Sequence, residues 1–266
     1  MLNAIKNLFR AQPERQRAAI PAGQRVYAIG DIHGRLDLFD ALVAGIDADD
    51  AAQGPAETTV ILLGDLVDRG PDSAGVIAAA RVWQQRRTVR IIAGNHEEMM
   101  LQSLDNVDVL RTFLKYGGRE TLLSYPVGVE DYNAASFPEV QALMAEAVPA
   151  EDLAWLRAFE DMVRIGDYVF VHAGVAPGVP LAEQRQSDLR WIREPFLSHP
   201  AAHEAVVVHG HTITDEPEIR PNRIGIDTGA YFSGRLTALA LEGTGRRLIE
   251  AREDGGAITL HIRSIA

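Results

Sequence analysis

The sequence predicts an α/β fold with a two-sheet core and a helical insertion, and three observations carry that expectation. Short apolar runs alternate with segments of helical periodicity from Val26 to about Glu97. From about Asp105 to Asp161 the strand signals vanish and the helical spacing continues. Beyond Glu204 the chain becomes strand-rich. With 266 residues and 47% hydrophobic composition, there is enough chain to bury a sizeable core.

Taken in order, Met1–Arg10 spaces Leu2, Ile5, Leu8 and Phe9 as an amphipathic helix, so residues 1–24 read as an N-terminal extension to a domain over 25–266. Its apolar run is too short for a signal peptide. Val26–Ile29 is a first strand ending at Gly30, and Leu36, Phe39, Leu42, Val43 and Ile46 recur at helical spacing behind it. Val60–Leu63 is a second strand, ending at Gly64, followed by a helix from Ser73 to Gln85. Val89–Ile92 is a third, ending at Gly94, with a helix starting near Glu97. This β-α-β-α-β order predicts a buried sheet covered by helices, with reactive groups collecting past the carboxyl ends of the strands. In the helical stretch (about 105–161), Pro149 with Glu151 and Asp152 marks a helix start, with Leu153, Leu156 and Phe159 on one face. Met162–His172 reads as a hairpin turning at Gly166-Asp167. Strands at Ala205–His209, Arg223–Asp227, Leu236–Leu241, Arg247–Ala251 and Ile258–Arg263 read as the second half of the two-sheet core.

The composition narrows the chemistry. There is no cysteine, which excludes disulfides and thiolate metal sites and fits a reducing cytoplasm. The formal net charge of −11 argues against a broad nucleic-acid interface. No run reaches the length of a membrane span.

Five polar motifs sit where apolar runs end: Gly30-Asp31-Ile32-His33-Gly34, Gly64-Asp65-Leu66-Val67-Asp68-Arg69-Gly70, Gly94-Asn95-His96-Glu97, Val171-His172-Ala173-Gly174 and Val208-His209-Gly210-His211-Thr212. Carboxylates, an amide and imidazoles are the ligands that suit Mn, Fe or Zn, and five such pieces in this order point to a two-metal hydrolase. Asp31 and His33 are two apart, so in extended backbone they share a face and can hold one metal. Asp65 can bridge two metals, while Asn95, His172 and His211 complete the second site. Two dications carry four positive charges, of which Asp31 and Asp65 cancel two, leaving a site that attracts phosphate. Two metals ~3.5–4 Å apart can lower the pKa of a shared water for in-line attack on phosphorus. The leaving oxygen then needs a proton. His96 is the candidate acid, Asp68 its carboxylate partner, and Arg69 a fork for phosphate oxygens. Arg193 is a second phosphate clamp, with Arg190 its rival. A different register would make His209 and His211 a ligand pair.

These motifs resemble those of the phosphoprotein phosphatase branch of the calcineurin-like metallophosphoesterases, over roughly Val26 to Asp227, and the length resembles compact bacterial and phage members without a regulatory tail. The resemblance implies a four-layer α/β/β/α sandwich. It implies a first metal at Asp31, His33 and Asp65, and a second at Asp65, Asn95, His172 and His211, with manganese the expected ion. It also implies an Asp68–His96 acid pair and phosphate-binding Arg69 and Arg193. The activity expected is hydrolysis of phosphomonoesters, with phosphoserine and phosphothreonine proteins as the natural class and no nucleic-acid partner. Bacterial dinucleoside tetraphosphate hydrolases resemble the same set but usually lack the carboxylate at the position of Asp68. A non-catalytic phosphoprotein-binding module would be expected to have lost a ligand. Neither Asp105–Asp161 nor Gly178–Ser187 carries a readable code for the substrate, and nothing in the sequence fixes the oligomeric state.

Overall fold

The computed structural model describes residues 17–265. The amphipathic helix expected at Met1–Arg10 lies outside the described residues. Two sheets pack face to face. The first has six strands in the order β11-β10-β9-β1-β2-β3, with β1 Gln24–Ile29, β2 Glu57–Leu62, β3 Val89–Ile91, β9 Arg235–Glu242, β10 Gly245–Asp254 and β11 Ala257–Ile265. The second has five strands in the order β4-β5-β6-β8-β7, with β4 Met162–Ile165, β5 Tyr168–Val171, β6 Val206–His209, β7 Glu218–Ile219 and β8 Arg223–Gly225.

The two-residue period of a strand decides which layer each side chain enters. In β1, Val26 and Ala28 point between the sheets, where they meet Phe170, Val208, Ile224 and Leu239. Tyr27 and Ile29 point the other way, into a core shared with Leu38, Phe39 and Leu42 of α1 (Leu36–Ala52) and Val76 and Ile77 of α2 (Ser73–Gln84). On the outer face of the second sheet, Val169, Val171 and Val207 pack against Leu181, Leu189 and Phe196. The result is the four-layer α/β/β/α sandwich.

The parallel β1–β2–β3 core has the expected order. The C-terminal strands do not. The expectation assigned everything after Glu204 to the second half of the core, but β9 pairs antiparallel with β1, and β10 and β11 extend that first sheet outward. Leu239 and Leu241 alternate with Ala238 and Ala240 along β9, so the strand has one apolar set for each core and fits beside β1. The third helix also begins earlier than the sequence suggests. α3 spans Asn95–Ser103, because Gly94 serves as its N-cap and the Glu97 carboxylate accepts from the Gly94 N–H.

Between Asn106 and Ala158 the chain is helical: α4 Val107–Phe113, a wide π-type turn Leu114–Gly118, α5 Arg119–Ser124, α6 Val129–Ala134, α7 Phe137–Ala147 and α8 Ala150–Arg157. Leu110, Phe113, Leu122 and Met144 anchor these helices to the main helical core. A short α9, Gln186–Trp191, lies against the second sheet, and α10, Ala230–Ser233, follows β8. Among the described residues no helix is long and apolar enough to cross a membrane.

Candidate metal centre

The motif residues converge at the carboxyl ends of β1, β2, β3, β5 and β6. Two groups of buried ligand atoms form there. One comprises His33, Asp65 and His96, and the other Asp65, His172 and His211, with the ligand atoms of each within 4.8 Å of one another. Asp65 is common to both. Its Oδ1 lies 3.4 Å from His172 Nε2, and its Oδ2 lies 3.6 Å from His33 Nε2.

The backbone geometry here is unusual. His33, Asp65, Asp68, Arg69 and His211 have φ of 46°, 50°, 74°, 70° and 61°, in the left-handed region that residues with a Cβ avoid. Each costs on the order of 1 kcal/mol or more, and all five lie in the motifs. This corrects the reasoning for Asp31 and His33: they do not share the face of an extended strand, because His33 turns out of it. Close approach adds a second constraint. A Cβ on Gly94 would stand 2.1 Å from Asp65 Oδ1, so that position must be glycine.

Each imidazole is held from behind. His33 Nδ1 donates to the Val67 carbonyl at 2.7 Å, and His172 Nδ1 donates to the Leu63 carbonyl at 2.8 Å. Both rings therefore turn Nε2 toward Asp65, the carbonyl-fixed arrangement typical of metal-ligating histidines. The donor set fits divalent cations on its own chemistry. With its Nδ1–H committed, neutral His172 presents an Nε2 lone pair 2.9 Å from Asn95 Oδ1, two acceptors facing each other. A cation between them resolves that conflict. Burial pushes His33 and His172 below the ordinary histidine range and, with help from neighbouring His172, takes His211 down to about 3, keeping the imidazoles neutral.

Asp31 stands beside these groups rather than within them. Its two oxygens accept from the His211 N–H at 3.1 and 3.0 Å. It faces Asp227, a buried carboxylate that the sequence reading left without a role. Burial and the mutual proximity of these carboxylates raise Asp31, and burial takes Asp227 up to about 6. His209 turns away. Its Nδ1 contacts the Gly210 carbonyl at 3.0 Å, its Nε2 faces Arg223 Nη1 at 3.4 Å, and it belongs to neither convergent group, which removes the alternative register.

His96 Nδ1 and Asp68 Oδ2 are 2.5 Å apart and fully buried. Burial works against a charged His96, but the carboxylates of Asp65 and Asp68 outweigh it, and the imidazole titrates above its ordinary range. Asp68 thus pairs with His96 rather than forming a turn-supporting bridge to Arg69. The Arg69 guanidinium donates from Nη1 to His33 Nε2 and from Nη2 to His96 Nε2, both at 2.9 Å, and lies 4.8 Å over the Tyr231 ring. Arg193 is exposed at the mouth and reaches Thr212 Oγ1 at 3.2 Å. Its rival Arg190 is committed elsewhere, to Asp161 at 2.7 Å. A cleft of about 220 Å³ opens onto Asp65, Arg69, Asn95, His96 and His211, with Tyr116 and Trp191 at its rim. A larger hollow of about 470 Å³ beside Asp167, Asn222 and Arg246 gathers no such ligand set.

Glu97 closes the Gly94-Asn95-His96-Glu97 motif, and the sequence alone points to no chemistry for it. It is buried, and its carboxylate accepts from the N–H of Asp65, Leu66 and Gly94 at 2.9, 2.7 and 2.9 Å. It therefore shapes the loop that carries Asp65. Glu97→Gln is expected to cost about 2 kcal/mol, because each Glu97 oxygen accepts from two backbone N–H groups and the amide NH₂, whichever oxygen it replaces, faces two donors. Urea unfolding checks this; stability within 0.5 kcal/mol of wild type would remove Glu97 from that role.

A family model for calcineurin-like phosphoesterases matches residues 24–233. Serine/threonine-protein phosphatase 1 of Salmonella typhimurium is 26% identical over 88% of this chain and 100% of its own. Bis(5'-nucleosyl)-tetraphosphatase PrpE [asymmetrical] of Bacillus velezensis is 28% identical over 79% of this chain and 86% of its own. A solved structure of a candidate diadenosine tetraphosphatase superposes with a TM-score of 0.61 at 19% identity, covering 93% of this chain and 98% of that one, a likeness of fold.

Proposed function

Because the chain belongs to the calcineurin-like phosphoesterase family, and is thus a metallophosphoesterase, we propose that it hydrolyses phosphomonoesters, with phosphoserine and phosphothreonine proteins as its natural substrates. The observation that carries this is the His96–Asp68 pair on the wall of the cleft that also holds Asp65 and Arg69. A serine or threonine alkoxide is a poor leaving group and needs a proton as it departs. A nucleotide leaving from a polyphosphate does not, because its phosphate is already a weak base. A buried, carboxylate-backed imidazole is suited to supplying the proton that the first kind of substrate needs.

Asp31, His33 and Asp65 would hold one divalent ion, and Asp65, Asn95, His172 and His211 the other; we assign manganese, though this donor set also accepts iron or zinc. Bound there, the ions supply Lewis acidity toward phosphoryl oxygens and lower the pKa of water. The protein's own groups do the rest. Arg69 offers a planar fork to two phosphoryl oxygens; to reach them it exchanges its contacts with His33 and His96. Arg193 closes the mouth over the anion. Asp68 accepts a hydrogen bond from the His96 Nδ1–H, fixes the ring and favours its imidazolium form; once Arg69 has moved to the phosphoryl group, the Nε2–H of that imidazolium is free to serve the leaving oxygen.

Arg69→Lys keeps the charge and loses the fork. It is expected to weaken both phosphomonoester KM and inhibition by inorganic phosphate on the order of tenfold, the size of one charge-assisted hydrogen bond, with metal content unchanged. Steady-state kinetics with phosphate as inhibitor reads both, and a change in only one would break the link between them.

A second reading, hydrolysis of dinucleoside tetraphosphates, draws support from the rim. Tyr116 and Trp191 are 49% and 43% exposed there and offer flat faces to a base. A Mn-supplemented panel of phosphopeptides, aryl phosphates and diadenosine tetraphosphate separates the readings. We expect the highest kcat/KM on a phosphopeptide; a dinucleotide preferred by orders of magnitude over every monoester would install the second reading instead.

A further inference from the structure

We propose that Thr121, in the helical segment outside every motif, is a positioning residue for the His96–Asp68 acid pair, and that Ser73 completes its relay. The proposal rests on the acid role of that pair. Asp68 is 0% exposed and sits at φ 74°, so neither water nor a relaxed backbone fixes its carboxylate. Two hydroxyls do. The Asp68 N–H donates to Thr121 Oγ1 at 2.8 Å and to Ser73 Oγ at 3.0 Å. The Thr121 hydroxyl donates to Asp68 Oδ1 at 2.6 Å. With that proton committed, the 3.0 Å contact between the two hydroxyls must be a donation from Ser73 to Thr121.

A single directed chain results. Ser73 donates to Thr121, Thr121 to Asp68 Oδ1, and His96 Nδ1 to Asp68 Oδ2 at 2.5 Å. All four side chains are buried, a setting in which such a chain strengthens each member. Both Asp68 oxygens are thereby occupied from opposite sides, which leaves the carboxylate one orientation and the imidazole one tilt. The same helical segment grips the neighbouring residue, since the Arg69 N–H donates to the Gly117 carbonyl at 3.1 Å. Gly117 has φ 113°, and a Cβ there would stand 2.6 Å from Arg69 N. Thus α5 and the turn before it brace both halves of the Asp68-Arg69 dipeptide.

The test uses the metal-loaded full chain and compares phosphoserine with p-nitrophenyl phosphate, whose leaving group departs without a proton. Thr121→Val keeps the shape and removes the hydroxyl. Its kcat on phosphoserine is expected to fall about tenfold, the low end for loss of a supporting hydrogen bond at an active site, with p-nitrophenyl phosphate within about twofold, and KM and metal content unchanged. Thr121→Ser restores the phosphoserine rate, and Ser73→Ala shows the same bias more weakly. Equal losses on both substrates, or no rescue by serine, overturn the proposal. If Thr121→Val does not fold, Thr121→Ser and Ser73→Ala carry the test: a wild-type-like serine variant with a biased Ser73→Ala supports it, and an unbiased Ser73→Ala overturns it. His96→Asn is the reference. Bias there but not in Thr121→Val sinks the positioning role alone; no bias in His96→Asn sinks the acid pair with it.

Discussion

Asp65→Asn is expected to lower turnover at least about 10³-fold and to empty both metal positions together. Several kcal/mol of charge stabilisation come from bound metals, and about 1.4 kcal/mol is worth a factor of ten. Asp65 is the one carboxylate common to both convergent groups, with an oxygen turned to each. Asparagine preserves its shape and can still accept the His96 N–H that now reaches Oδ1 at 3.1 Å. Only charge and one acceptor oxygen are lost. Elemental analysis and activity should therefore fall in step. A variant that binds two ions with wild-type affinity would show that Asp65 does not bridge them.

His96→Asn should behave differently. Metals stay bound, because the ligand set assigned to the ions does not need the imidazole. The loss should be ~10²–10⁴-fold on phosphoserine, the usual contribution of a general acid, and much smaller on aryl phosphates. Asp68→Asn should show the same bias more weakly, since it leaves the proton donor in place and loosens its orientation. The measurement is the ratio of kcat values on the two substrates. A ratio equal to wild type would mean that the imidazole, only 3.8 Å from Asp65 Oδ2, serves the metal side of the site instead.

What was legible in the sequence was what short-range spacing encodes. Val26–Ile29 and Val60–Leu63 run directly into a glycine followed by a polar group, and Val89–Ile92 does so after Ala93, so strand ends and candidate ligands could be read together. Two kinds of information were not encoded that way. Backbone conformation is one: nothing in the letters Asp65 or His33 announces a left-handed residue, and the extended-strand argument for Asp31 and His33 failed for that reason. Long-range partnership is the other. Thr121 lies 53 residues from Asp68 and α5 carries no motif, yet its hydroxyl meets that carboxylate. Asp227 had only its position in a strand-like run to mark it. It ended beyond β8, facing Asp31. The pairing of β9 with β1 was hidden similarly, because an apolar strand suits either sheet until its partner is known. His209 shows the reverse case. Its spacing from His211 suggested a shared role, and the turn at Gly210 separates them.

The central claim is a dinuclear centre whose occupancy controls phosphomonoester turnover. Its most direct test is manganese titration of the chelator-stripped protein, with bound metal and phosphopeptide turnover measured on the same samples. Two ions per chain are expected at saturation, with turnover absent in the stripped protein and reaching its plateau only as the second ion binds. Full turnover with one ion bound, or with none, would contradict it.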